Sequence, residues 1–337
     1  MSALPAARLA ERFRRHGASI GSSPMYRDLM ARLADDIEAR GPAWTLMRDH
    51  AGPPGSVPPL RLLGAVHRLV LSGRAPALAR YYPSAGGTYD PEPAWAAFRA
   101  VLVERAAALE PELDRTVQTN EVGRAAILLP GFCDVARRYG RPLRPLEVGA
   151  SAGLLLRFDA YRYVTPSGAT WGPSSSPLTL DGYRTDVPLS PVAVADRRGC
   201  DRSPIDPETG RLLLMSYVWP DNLDRFERLR AALDIAPALP APVDRADALE
   251  WTRERLAETG DAVPVVYHSV VMQYLSEDAR AAFREAVESA DVEPRAWLRF
   301  EPEEADFVLR LTTWPGGEER LLAKAHPHGY DVEWLTT

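Results

Sequence analysis

From residue 5 to about 140, apolar side chains recur at intervals of three and four, the spacing that gathers them on one side of a helix. In VPPLRLLGAVHRLVLSG, Leu63, Val66 and Val70 share a face with Leu60 behind them, Pro58 and Pro59 open the segment, and Gly73 closes it. PAWAAFRAVLVERAAALEPEL and NEVGRAAILLPGFCDVARRYG repeat the pattern, the second with Asn120 as candidate N-cap and Gly140 as C-terminal stop. No convincing strand precedes residue 145. Between the helices, YYPSAGGTYD is turn-rich, and its aromatic and hydroxyl groups suit the wall of a cleft.

From Pro145 the pattern changes to short apolar runs separated by helical stretches, the alternation of an α/β unit with a largely parallel sheet. Strands are expected at 146–149, 192–198, 242–246, 263–269, 296–301 and 307–314, with a last one near YDVEWL. Helices fit between them at LLLRFDAY, RLLLMSYVWPDNLDRFERLRAALDIA, LEWTRERLAE and EDARAAFREAVESA. Two strands flank PGG near the end, so the sheet is expected to finish in an antiparallel pair. Residues 161–190 are rich in turn formers and aromatics and read as an insertion. The chain thus divides into a helical part, 1–140, and an α/β part, 141–337.

Composition narrows the chemistry. The 337 residues include 39 arginines and one lysine, Lys324, which sits in LLAKAHP. A phosphate-binding G-x-x-x-x-G-K-[ST] loop and a kinase strand lysine are therefore both excluded, and amine-nucleophile chemistry would rest on Lys324 alone. The net charge is −6 and the arginines are scattered among acids, so there is no basic stripe to track phosphates, and nucleic acid is not an expected partner. Cys133 and Cys200 are too few for a disulfide framework or a four-thiolate zinc site. With no apolar run of about 18 residues and no signal-like start, a cytoplasmic protein away from membranes is expected. No heptad seam marks an oligomer interface, so the oligomeric state is open.

The most informative segment is PLEVGASAGLLLRF, a strand, a tight glycine turn and a helix. In one reading Gly149, Ala150, Ser151 and Gly153 form a turn that lets a ligand approach the backbone, the helix start receives its polar end, and Glu147 accepts hydrogen bonds from its cationic or hydroxyl part. That is the logic of an S-adenosylmethionine site, with Ser151 where E/D-x-G-x-G-x-G has its middle glycine. In the other reading GASAG is G-x-S-x-G, a nucleophile elbow, with Asp244 or Asp261 and one of His268, His326 and His328 as later triad members. The helical upstream region and the acid at Glu147 weigh against this, since the oxyanion formed there would be repelled.

The first reading assigns Asp201, in RRGCD, to the ribose hydroxyls and Asp247, in ADA, to the adenine amino group. His268, in YHSVVMQYL, is placed to take an acceptor's proton. QTNEVGR gathers Gln118, Asn120, Glu121 and Arg124 ahead of an apolar helix, and such groups either brace the helix or line a polar cavity. Glu121, Tyr82 and His268 are the expected catalytic residues on the acceptor side, with Gln118, Asn120 and Arg124 nearby. His326 and His328 are read as structural, and no metal site is expected.

RYYPSAGG, QTNEVGRAA, LEVGASAGLLLRFDAYRY, RRGCDRSPIDP and VVYHSVVMQYL together resemble an uncharacterised bacterial family, domain of unknown function number twenty-three thirty-two. The resemblance covers nearly the whole chain. It implies a helical N-terminal part joined to a Rossmann-like half similar to class I S-adenosylmethionine-dependent methyltransferases. Leu155 stands where many relatives have Asn. The function expected is methyl transfer from S-adenosylmethionine to a small-molecule acceptor; the alternatives are a serine hydrolase using Ser151 and a non-catalytic Rossmann-like binding module.

Overall fold

The structure, a computed structural model, describes residues 5–50, 52 and 57–335. These form two compact units, Met1–Thr119 with Thr209–Glu227, and Asn120–Glu208 with Arg228–Thr337.

In the first unit, helices 24–38, 42–47, 58–71, 76–79 and 91–104 each begin on a proline. Proline suits that place because its φ is already helical and its missing N–H would have no partner in the first turn. Apolar faces of these helices close on one core that includes Phe13, Tyr26, Leu63, Val66, Tyr82 and Phe98. As the spacing predicts, Leu63, Val66 and Val70 are buried together, and Gly73 follows the helix in the left-handed region at φ +73°. His67 lies fully buried in this core, its Nδ1 3.1 Å from the Ser216 carbonyl and its Nε2 2.8 Å from Ser84 Oγ. Burial pushes its pKa down to about 4.

The second unit is built on an eight-stranded sheet: β1 Leu143–Val148, β2 Arg198–Asp201, β3 Val243–Arg245, β4 Val263–Ser269, β5 Arg295–Glu303, β6 Asp306–Trp314, β7 Glu318–Ala325 and β8 Glu333–Trp334. Their order is 8-7-6-5-4-1-2-3. Strands β3, β2, β1, β4 and β5 pair parallel, and β5 to β8 pair antiparallel. The chain is thus α/β, with a mostly parallel sheet that ends in an antiparallel group larger than the expected pair. Parallel strands are buried on both sides, and all seven residues of β4 are buried. Successive residues of a strand face opposite ways. One face carries Leu146, Val148 and Val266 under Trp251 and Phe283, from helices 248–256 and 277–288. The other lies under helix Ala125–Tyr139, where Phe132 meets the Tyr267 ring edge-on at 5.1 Å and a side chain at Gly131 would run into Leu298.

Three expected elements differ. The second strand starts at Arg198 rather than 192; Val194 makes only an isolated bridge to Leu143, and Arg197 then turns aside to clamp Asp159 through both carboxylate oxygens. LLLRFDAY is not an α-helix but a six-residue 3-10 segment, Leu155–Ala160, bent at Arg157. Side chains take its carbonyls: Tyr161 Oη donates to the Leu154 carbonyl and Tyr163 Oη to that of Phe158. The long helix expected over 211–236 splits into Arg211–Ser216 and Leu223–Ile235, because Pro220 has no N–H to continue it. Residues 161–190 hold a small three-stranded sheet of their own. Among the described residues no helix is long and apolar enough to cross a membrane.

Candidate functional site

The strand order reverses between β1 and β4, and in doubly wound sheets ligands bind outside the carboxyl ends of the strands at that point. The glycine turn occupies this position. Gly149 sits at φ +72° and Gly153 at φ +66°, conformations that side chains disfavour. A Cβ on Gly149 would also lie 2.6 Å from Val271 Cγ2. The Gly149 and Ala150 N–H groups both donate to the Cys200 carbonyl at the end of β2, at 2.9 and 3.0 Å, which ties the turn to the next strand. Ser151 is itself left-handed, at φ +51°, a conformation uncommon for a residue with a side chain.

Three side chains hold this turn and a fourth lies beneath it. Asp201 accepts the Ser151 N–H at 3.0 Å on one carboxylate oxygen and the Ser203 N–H at 2.8 Å on the other. The Asn120 amide donates to Ser151 Oγ at 2.9 Å and accepts the Ala152 N–H at 3.3 Å. Arg157, buried, donates to the Ala152 and Gly153 carbonyls at 3.2 and 2.8 Å and to the Leu239 carbonyl at 2.7 Å. Glu147 comes up beneath the turn, 3 % exposed, with the Tyr267 hydroxyl donating to it at 3.1 Å. Burial and then the negative charge of Asp201 push its pKa up to about 8, against the opposing hydrogen bond from Tyr267 and the more distant guanidinium groups of Arg157 and Arg124. A carboxyl group in such a place remains charged only with a cation beside it.

The neighbouring rim is polar as well. Arg124 donates to the Ser269 carbonyl at the end of β4 at 3.0 Å and to the Pro327 carbonyl at 2.9 Å. Glu121, buried, lies 2.9 Å from His328 Nδ1 and accepts the Gly123 N–H at 3.3 Å. Glu121 therefore caps the helical entry expected of Asn120, whose side chain turns instead to the glycine turn. Asp247 caps helix 248–256 by accepting the Leu249 N–H at 2.9 Å, and its second oxygen is 3.5 Å from Arg202.

The profile of a family described as "Uncharacterized protein conserved in bacteria (DUF2332)" matches residues 10–334. The chain belongs to this family. No curated protein and no solved structure matches it. For this DUF2332 member, the reading of the site rests on the side chains themselves.

The structure brings Glu147, Gly149, Ala150, Ser151, Gly153, Asp201, Asn120 and Arg124 around one turn. Of the expected acceptor-side residues, Glu121 and His268 lie in this unit and Tyr82 in the helical one. Tyr82 lies in the core of the helical unit with burial raising its hydroxyl pKa, and Gln118 also falls in that unit. His268 follows Tyr267 on β4 and so faces the opposite side of the sheet from Glu147, beside Phe283 and Trp297. There its Nδ1 is 2.6 Å from Glu301 Oε1, which also accepts the Val271 N–H at 2.9 Å and the Met272 N–H at 3.3 Å.

Sequence reasoning missed Arg157, Tyr267 and Glu301. A lone arginine inside the apolar run LLLRF was a legible sign of a paired buried charge. Glu301 was legible from the two-residue period that places it with Trp297 and Arg299 on one face of β5. Tyr267 became a partner of Glu147 only through the register of β1 against β4.

Proposed function

We propose that this protein is an S-adenosylmethionine-dependent methyltransferase acting on a small-molecule acceptor, with the cofactor held at the end of β1. Buried Glu147 carries this reading: a carboxyl pushed up to about 8, below a left-handed glycine turn at the point of strand-order reversal, suits a ligand bearing positive charge. Phosphate-bearing cofactors fit less well. The turn leads into a six-residue 3-10 segment rather than a helix whose N-terminus would receive phosphate, and Glu147 and Asp201 would repel it.

The residues present fit the cofactor by their donor chemistry. Glu147 would pair with the methionine ammonium, and the absence of side chains on Gly149 and Gly153 allows close approach to the backbone. Asp201, a carboxylate at the end of β2 beside the turn, would accept hydrogen bonds from the ribose hydroxyls. The second oxygen of Asp247, 3.5 Å from Arg202, would serve the adenine amino group. When bound, the cofactor supplies a methyl group on sulfonium sulfur, a leaving group that departs as a neutral thioether. What the chain contributes is position: Asp201, Asn120 and Arg157 keep the turn in its left-handed form, so little ordering remains to be done on binding. The acceptor-side role expected of His268 is not carried over, because its side chain lies on the opposite sheet face from Glu147.

Calorimetric titration with S-adenosylmethionine and with its demethylated product tests the proposal. Binding is expected, weakened tenfold or more by Glu147→Gln. No heat of binding at millimolar ligand to folded protein would refute it.

A further inference from the structure

On the sheet face away from Glu147, β4 to β7 and the end of helix 277–288 enclose a cavity of about 570 Å³, within the range of small-molecule sites. Its wall joins an apolar part, Met272, Trp297 and Val308, to a charged one. Three buried polar atoms on lining residues have no hydrogen-bond partner among the described residues: His268 Nε2, Trp297 Nε1 and Glu301 Oε2. Burying a polar atom without a partner is costly, and most buried polar groups in folded proteins are paired. All three residues line one cavity, and a ligand polar group that reached these atoms would satisfy them.

The chemistry of that ligand follows from the lining. Glu301 accepts from the Val271 and Met272 N–H groups and sits 2.6 Å from His268 Nδ1, so the ring is oriented with Nδ1–H donating and Nε2 presenting a lone pair. His268 itself is fully buried. Nε2 and Glu301 Oε2 want a donor, and the Trp297 N–H wants an acceptor. Farther out, Arg310 is committed to Glu303 and Glu319, and Arg299 to Glu319 while stacking on Trp297 at 4.1 Å. Arg280 and Arg284, both exposed on helix 277–288, line the same cavity, and neither has an acidic partner among the described residues. Arg280 gives only its Nε, to the Leu275 carbonyl at 3.0 Å, and two guanidinium groups without an acidic partner favour an anion.

We infer that this cavity is a second ligand site, taking a small organic anion that bears a hydroxyl or amine. Arg280 and Arg284 receive the anionic group, and the hydroxyl or amine reaches His268 Nε2 and Glu301. The site does not depend on the cofactor reading, since it stands on the other face of the sheet.

Saturation-transfer NMR with glycerol 3-phosphate and 4-hydroxybenzoate, against their neutral counterparts glycerol and phenol, tests it. At least one of the two anions is expected to bind, tenfold or more tightly than its neutral counterpart. Arg280→Ala with Arg284→Ala, both exposed and so tolerable to the fold, is expected to weaken that anion at least tenfold, and His268→Gln to weaken it further. Neither anion binding at 10 mM (about 2.7 kcal/mol at that concentration), equal binding of anion and neutral counterpart, or unchanged binding in the double arginine variant would overturn the inference.

Discussion

Replacing Glu147 by Gln removes the one carboxyl whose protonation is most displaced by the fold, and the effect on stability can be worked from its surroundings. The carboxyl titrates near 4.5 when exposed and near 8 in the folded chain, because burial disfavours the charged form. Between those values the folded state holds a proton that the unfolded state has released. Stability contributed by neutral Glu147 is therefore full below pH 4.5 and is lost as pH rises through 8. At about 1.4 kcal/mol per pH unit, the whole loss approaches 5 kcal/mol, an upper figure because water penetration and relaxation soften burial. Gln has the same length, still accepts the Tyr267 hydroxyl, and does not titrate. Denaturant unfolding of wild type and Glu147→Gln at pH 5, 7 and 9 isolates the effect, since every other ionisable group cancels in the difference. The variant is expected to gain on wild type steadily from pH 5 to pH 8 and no further above it. Parallel stability profiles across that range would show that burial does not raise the Glu147 pKa in the folded protein and would refute the reasoning.

Further outcomes follow from the same contacts. Asn120→Ala strips partners from Ser151 Oγ and the Ala152 N–H and is expected to lower stability by about 1–3 kcal/mol, read as a fall in denaturation midpoint. Gly149→Ala forces a side chain onto φ +72° and against Val271, and should cost about 1–3 kcal/mol and abolish S-adenosylmethionine binding; near-wild-type thermal stability would contradict the tightness of this turn. His67, depressed to about 4 by burial, contributes stability above pH 6.5 that is lost as pH falls toward 4, about 3 kcal/mol in all; His67→Gln should flatten this acid limb in thermal melts. A fluorophosphonate is expected to leave Ser151 unlabelled, as judged by mass spectrometry of the intact chain, because the Asn120 amide N–H that donates to its Oγ is no base.

Much of the architecture was legible from local pattern alone. Three- and four-residue spacing marked the helices of the first 140 residues, proline and glycine marked many of their ends, and apolar runs located seven of the eight strands of the sheet closely enough to read an α/β unit. The glycine turn, Glu147 beneath it and Asp201 beside it came from a motif whose parts lie close together or at consecutive strand ends. These are properties of neighbouring residues, and neighbours are what a sequence displays.

Tertiary structure decided the rest, because it depends on which distant groups meet. Leu155–Ala160 has the composition of an α-helix, but its carbonyls are taken by Tyr161 and Tyr163 while Arg157 reaches back to those of the turn. Arg197 leaves the sheet for Asp159, which delays β2 to Arg198. Asn120 reads locally as a helix cap, and only the fold carries it to Ser151. The register of β1 against β4 sets Tyr267 against Glu147 and turns His268 to the opposite face, where Glu301, 33 residues further along, meets it. Residue type determined what each side chain was able to do; strand register and the pull of distant partners determined where it would do it.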